Sequence, residues 1–249
     1  MRKTRIYYPE SLSEGQEIEL DTQSSVRVAR VLRLKSGDSV YLFNGQGGEY
    51  ESHITQLDKR HVFCKVMEFM DQSVESPLII RLAQGISKGE RMDYTIQKAV
   101  ELGVHEIIPL ATSRTSVNLN AERQKRRLTH WQSIVNSACE QCGRNLVPEV
   151  KPIEPLARWL EMNKSTYNIV LDPRASQGLK MFPYPEQAAI TQQPVTLLIG
   201  PEGGLSREEI SLAEQHGFTP TQCGPRILRT ETAAVAVLSA LQSLWGDFA

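Results

Sequence analysis

The stretch Thr196-Leu197-Leu198-Ile199-Gly200-Pro201-Glu202-Gly203-Gly204-Leu205-Ser206-Arg207-Glu208-Glu209-Ile210 reads as a buried strand, a tight loop and a helix start. Ser206 with Glu209 three residues on makes a capping box, in which each residue satisfies an amide the helix cannot pair, so the helix start is set there. Gly200, Gly203 and Gly204 remove side chains where a ligand can approach the backbone, which leaves amides and carbonyls open at the C-terminal edge of a sheet. A tight turn alone needs one or two glycines, and a third points to a binding loop.

Which ligand the loop takes is narrowed by what it lacks. There is no Lys-Ser/Thr ending for a triphosphate and no GxGxxG spacing for a dinucleotide. Glu202 would repel a phosphate and suits a neutral or cationic group such as a sulfonium. A second element follows: Cys223-Gly224-Pro225-Arg226-Ile227-Leu228-Arg229-Thr230-Glu231-Thr232-Ala233-Ala234, a glycine-proline turn that feeds a polar knot into a helix apolar nearly all round. Such a helix is expected to be buried. Read structurally, Thr230 or Thr232 is an N-cap and Arg229 with Glu231 a surface ion pair. Read functionally, two charged and two hydroxyl residues beside a buried helix form a reactive cluster.

Upstream, strands alternate with helices, the signature of an α/β domain. Leu78 to Gln84 is a strand, Glu90 to Leu102 a helix closed by Gly103, and His105 to Ala111 a strand. A long helix from Asn120 to Gln141 ends at Gly143 and is followed by a helix near Pro155 to Met162 and a strand Tyr167 to Leu171. The first seventy residues differ: short β-type runs at Glu17 to Asp21, Ser39 to Asn44, Glu49 to Leu57 and His61 to Met70 predict a small barrel. Ser24 or Ser25 is expected to cap a short helix that buries Val28, Val31 and Leu32 and turns Arg27, Arg30 and Arg33 outward. The polar linker Asp71 to Pro77 divides the chain into domains 1–72 and 73–249.

The 249 residues carry 28 basic and 29 acidic side chains, a net charge of -1, so nucleic-acid binding has to come from local basic patches. No apolar run reaches membrane-span length, and the basic N-terminus has no apolar stretch behind it, so a cytosolic protein with no membrane partner is expected. Its four cysteines, Cys64, Cys139, Cys142 and Cys223, are then expected to be reduced thiols. Cys139-Glu-Gln-Cys142 has no second ligand pair at zinc-like spacing, so two helix cysteines are expected and no metal.

LLIGPEGGLSREEI followed by GPRILRTETAA resembles the RsmE family of bacterial small-subunit ribosomal RNA methyltransferases, members of the SPOUT superfamily of trefoil-knot enzymes. The similarity runs along the chain through RIYYPE, SKGERMDYTIQKAVELGV, ACEQCGRNLVPEV and DPRAS. Cys223 departs from it, standing where an aliphatic residue is expected, although a thiol packs like a small hydrophobe. The resemblance implies a knotted α/β methyltransferase domain behind an N-terminal PUA-like β-barrel that docks RNA, and a homodimer. It also implies methylation of N3 of a uridine in 16S ribosomal RNA of the 30S subunit, with S-adenosylmethionine as donor.

By the same resemblance the donor lies against three loops: Leu171 with Asp172; Leu198, Ile199, Gly200, Pro201, Glu202, Gly203 and Gly204; and Cys223, Gly224, Ile227, Leu228 and Thr230. Arg229 is the first candidate for stabilising the uracil anion, and Glu231 the candidate base or a residue that positions Arg229. Candidate phosphate contacts are Arg2, Lys3, Arg5, Arg27, Arg30, Arg33, Lys88, Arg91, Arg114, Arg123, Lys125, Arg126, Arg127 and Arg144. Two other readings stand beside this one. A transfer-RNA methyltransferase of the same superfamily would share the donor loops without the PUA-like domain, and a non-catalytic ribosome-assembly factor would bind RNA without methylating it.

Overall fold

The computed structural model describes residues 3–115, 120–182 and 193–248. Two compact units emerge, one from Met1–Glu75 with Asn136–Val147, the other from Ser76–Val135 with Pro148–Ala249. The division falls at Glu75, a few residues past the boundary expected from the linker, and Asn136–Val147 returns to the first unit. Nothing local in the sequence marks that return.

In the first unit, five strands follow the order β1-β3-β4-β5-β2. They are β1 (Arg5–Tyr7), β2 (Glu17–Glu19), β3 (Ser39–Phe43), β4 (Glu49–Leu57) and β5 (Val62–Met70). Alternation puts Val40 and Leu42, then Val62, Cys64 and Val66, on one side. Ile6 from one edge strand and Ile18 from the other join the same core, so the sheet wraps round a single apolar centre as a small barrel does. The expected cap is corrected: Asp21 accepts from the Gln23 and Ser24 amides, and the helix runs Thr22–Val26 before widening into a π turn over Arg27–Val31. The wider turn rotates the following residues, so Val28 is buried while Val31 and Leu32 are exposed, against expectation.

The second unit is a parallel sheet in the order β12-β10-β11-β6-β7-β8, with β9 also on β7. Its strands are β6 (Ile80–Gly85), β7 (Glu106–Ala111), β8 (Glu149–Val150), β9 (Glu154–Pro155), β10 (Tyr167–Leu171), β11 (Val195–Ile199) and β12 (Phe218–Thr221). Every residue of β11 is buried, as a central parallel strand requires. Leu156, Trp159 and Leu160 of helix Leu156–Met162 and Ile210 and Ala213 of helix Arg207–Gln215 pack with Val170, Leu198 and Phe218 in one core. The last helix, Thr230–Trp245, buries Ala234, Val237, Leu238 and Leu241 and leaves Val235, Ala236, Ser239 and Ala240 half-buried; it is not enclosed all round. Its Gln242 carboxamide accepts from Ser76 Oγ at 2.8 Å and donates to the Leu102 carbonyl at 2.8 Å.

Candidate functional site

Parallel pairing places the C-terminal ends of β12, β10, β11 and β6 side by side, with Leu171 opposite Thr221 and Ile199 opposite Gln84. The loops leaving those ends surround a cleft of about 330 Å³. Leu171 to Arg174 form one wall, Ile199 to Leu205 the second, and Ile227, Leu228, Thr230 and Ala233 the third, with Arg114 at the side. A smaller recess of about 70 Å³ continues past Leu171, Asp172 and Pro173 to Cys223, Gly224 and Arg226. An apolar wall with few polar groups at the edge of an α/β sheet is the usual make-up of a small-molecule site.

The glycines fit that role. A Cβ on Gly200 would stand 2.7 Å from the Gly204 carbonyl carbon and the Leu205 amide, so the loop closes only without one. At Gly204 and Gly224 a Cβ would meet nothing within 4 Å, which leaves open space against the backbone. Ser206 Oγ accepts from the Glu209 amide at 3.1 Å and Glu209 Oε2 from the Ser206 amide at 2.8 Å, the reciprocal box read in the sequence.

Of the residues read as donor contacts, Leu171, Ile199, Gly200, Pro201, Glu202, Gly203, Gly204, Ile227, Leu228 and Thr230 line the cleft, and Cys223 and Gly224 line the recess. Leu198 is corrected: its side chain points into the core with Val170 and Ile210. Glu202 does not present a free carboxylate, because Oε1 accepts from the Lys88 amide at 2.8 Å and from Arg91 at 2.9 Å. Partial burial pushes the Glu202 carboxyl up, but the hydrogen bonds and the Arg91 guanidinium outweigh it and hold it below the usual glutamate range. The other acid on the cleft wall is Asp172, which is buried and whose Oδ1 accepts from Arg174 Nε at 2.9 Å.

Arg229 is exposed at the head of the last helix, with no carboxylate partner among the described residues. Glu231 follows in the first turn, and its partner is not Arg229: Oε1 lies 4.0 Å from Arg91 Nε. Its Oε2 is buried and has no hydrogen-bond partner among the described residues. Arg114, read as an RNA contact, is exposed at the cleft side, where Nη1 donates to the Gly203 carbonyl at 2.5 Å. A lone arginine in a loop carries no sequence signal of that kind.

Two other expected phosphate contacts are corrected in the first unit. Arg5 is buried, with Nε 2.7 Å from Glu49 and its other nitrogens on the Cys139, Arg144 and Asn145 oxygens. Cys139 lies in the last turn of helix Ala121–Cys142, so this cation satisfies a helix C-terminus. Arg144 is buried against Glu75 at 2.6 Å. Lys3 is paired with Glu49 at 3.3 Å and Arg27 with Glu140 at 2.5 Å, while Arg30 and Arg33 are exposed. In the second unit Lys88, Arg91, Arg123, Lys125 and Arg126 are exposed and Arg127 half-buried; Arg2 lies outside the described residues.

An RNA methyltransferase domain family matches residues 74–242 and an RNA methyltransferase PUA domain family residues 28–67. The chain is 38% identical to the ribosomal RNA small subunit methyltransferase E of Buchnera aphidicola from Schizaphis graminum, over 99% of this chain and 98% of that protein. It is 30% identical to the Bacillus subtilis protein of the same name, over 93% of this chain and 92% of that one. Among solved structures, a methyltransferase from Legionella pneumophila with bound S-adenosylmethionine aligns with a TM-score of 0.94 at 42% identity, covering 100% of both chains. The Neisseria gonorrhoeae ribosomal RNA small subunit methyltransferase E, also with S-adenosylmethionine, aligns with a TM-score of 0.90 at 38% identity, again over 100% of both. With a five-stranded unit matched by an RNA methyltransferase PUA domain, a parallel sheet within the matched RNA methyltransferase domain and a glycine-lined cleft at that sheet's C-terminal edge, the chain belongs to the ribosomal RNA small subunit methyltransferase E family of RNA methyltransferases.

Proposed function

We propose that this chain moves the methyl group of S-adenosylmethionine to N3 of one uridine of 16S ribosomal RNA. The observation that carries the reading is the meeting of the two glycine-bearing loops in one cleft, with the Arg229 to Glu231 segment heading the helix beside it. The apolar wall of Leu171, Ile199, Leu205, Ile227 and Leu228 fits an adenosine, and the open backbone at Gly204 and Gly224 fits its hydrogen-bonding edge. Relatives of this chain hold the same donor. When bound, the donor supplies an activated methyl group on a sulfonium.

The chain's own residues then have three tasks. In-line transfer needs the acceptor nitrogen held against the methyl group, so positioning is the first. Uridine N3 carries a proton at neutral pH and sits on the pairing edge, so the base is extruded and its proton has to leave. The unpaired, buried Glu231 Oε2 accepts that proton in this reading, and the exposed Arg229 guanidinium lies over the carbonyl oxygens that take up the negative charge. Arg30, Arg33, Lys88, Arg123, Lys125 and Arg126 hold the RNA backbone. No step asks for a metal ion or a membrane.

A second copy of the chain covers the partly exposed face of the last helix in this proposal, because Val235, Ala236, Ala240 and the exposed Leu244 are apolar there. The substrate, an assembled ribosomal subunit, places the reaction in the cytoplasm. The test is incubation of the purified chain and labelled donor with 30S particles from a strain lacking it, followed by mass spectrometry of the 16S RNA. A single N3-methyluridine is expected. Label on transfer RNA, on a ribose oxygen, or on no RNA overturns the reading.

A further inference from the structure

Gln84 is a polar side chain at the buried end of a central strand. It is 0% exposed, on β6, directly across from Ile199 of β11. Burying an amide among apolar strands costs stability unless its groups are bonded. Here Nε2 faces three oxygens: the Thr230 hydroxyl at 3.0 Å, the Gly200 carbonyl at 3.2 Å and the Gly85 carbonyl at 3.0 Å. Thr230 Oγ1 in turn donates to the Gly200 carbonyl at 2.7 Å. Since the hydroxyl has one proton and gives it to Gly200, it accepts from the amide, and the three groups close a triangle with one sense of donation. The opposite amide orientation would set Oε1 against two carbonyl oxygens, which can only accept. As placed, Oε1 has no partner among the described residues, so an acceptor is left unpaired to keep the nitrogen where it is.

The triangle joins three segments far apart in the chain. Gly200 opens the donor loop, and Thr230 stands between Arg229 and Glu231. We propose that Gln84 is a positioning residue, which locks the donor loop to the head of the last helix and so sets the distance between the bound methyl group and the residues that receive the RNA base. The inference rests on the donor site assigned under Proposed function. A packing role would need only a side chain of this length, whereas positioning needs a donor at its end.

Gln84→Met keeps the length and removes the donor, and Thr230→Val keeps the shape and removes the hydroxyl. In the full-length protein each is expected to weaken S-adenosylmethionine binding about tenfold, a loss the size of one buried hydrogen bond, and to lower the methyl-transfer rate per donor-binding site. Thr230→Ser restores both. The double variant is expected to be no worse than the poorer single one, because both break one network. Calorimetry with S-adenosylmethionine, single-turnover transfer to 30S particles and thermal melting read the result. The proposal is overturned if Gln84→Met binds and transfers like the parent, if the two effects add, or if Gln84→Met fails to fold or loses only its active fraction at unchanged affinity. If the parent chain itself does not bind the donor, the donor site is wrong and the lock falls with it.

Discussion

Arg91 Nη1 lies 2.9 Å from Glu202 Oε1, so a side chain on the helix after β6 is tied to the glycine-rich loop after β11. The same guanidinium reaches to 4.0 Å from Glu231. Arg91 thereby stands between two acids of the cleft region and is not a free phosphate contact.

With the donor in the proposed cleft, this tie is expected to give its binding a pH dependence. The Glu202 carboxyl is held below the usual glutamate range, so its contribution is fully present above the unfolded value and is lost as pH falls through the lower, folded one. Donor affinity measured by calorimetry is expected to stay level from neutral pH down through the ordinary glutamate range and to drop only below it. Glu202→Gln removes the ion pair and is expected to weaken donor binding at neutral pH and to abolish the drop in acid, where the parent has already lost the charge. A Glu202→Gln protein with parental affinity would detach this contact from the site.

Arg229→Ala is expected to lower single-turnover methyl transfer by about a hundredfold or more, the scale of losing one group that faces developing charge, with donor affinity within about twofold. The exposed position of Arg229 makes a folding defect an unsuitable explanation. Normal turnover with lost donor affinity would reverse the assignment.

Gly203→Val acts on the loop itself. A Cβ at Gly203 already meets Arg114 Cδ at 3.2 Å, and the branched methyls add to that contact. Donor binding is expected to fall at least about tenfold, the effect of overpacking by one to two kcal/mol, while the protein remains folded. Unchanged affinity by calorimetry would remove this bend from the pocket wall.

The two arginine classes of the first unit are expected to separate experimentally. Arg5→Ala leaves the buried Glu49 carboxylate without its closest cation and is expected to cost about 3–5 kcal/mol in urea unfolding. Arg30→Ala and Arg33→Ala are expected to leave stability within about 0.5 kcal/mol. Each is expected to reduce the slope of RNA affinity against salt by about one. A salt slope unchanged in both would argue that this face does not touch RNA.

Thiol chemistry offers a probe of the recess. Burial pushes the Cys64 and Cys139 thiols up to about 12, so both are expected to resist alkylation at neutral pH. Cys223 is partly exposed and lines the recess. Iodoacetamide is expected to label it, and S-adenosylmethionine to slow that labelling, as read by peptide mass spectrometry. Equal labelling with and without the donor would place the donor elsewhere.

Much of the site is legible in the sequence because its signals are local. The capping box at Ser206, the three glycines after β11 and the turn before Arg229 each announce themselves within a few residues. The short strands β1, β8, β9 and β12 are missed because two to four residues are too few to show a period, and pairing with neighbours makes them strands. The cap of the first helix is misplaced because Asp21 and Ser24 are both good caps and only the turn geometry chooses between them.

Charge is where the sequence runs out. Arg5, Arg30 and Arg144 are the same residue to a composition count, yet one closes a helix end, one faces solvent and one is buried on Glu75. By itself the sequence determined the α/β class, the two glycine-bearing loops and the polar segment before the last helix, since those depend on spacing along a few residues. The tertiary structure alone decided which arginines are free, that Glu202 answers to Arg91, and that Gln84 meets Gly200 and Thr230. Those contacts join residues remote in the chain, and a hydrogen bond or ion pair depends on a final distance of about 3 Å that no local pattern encodes.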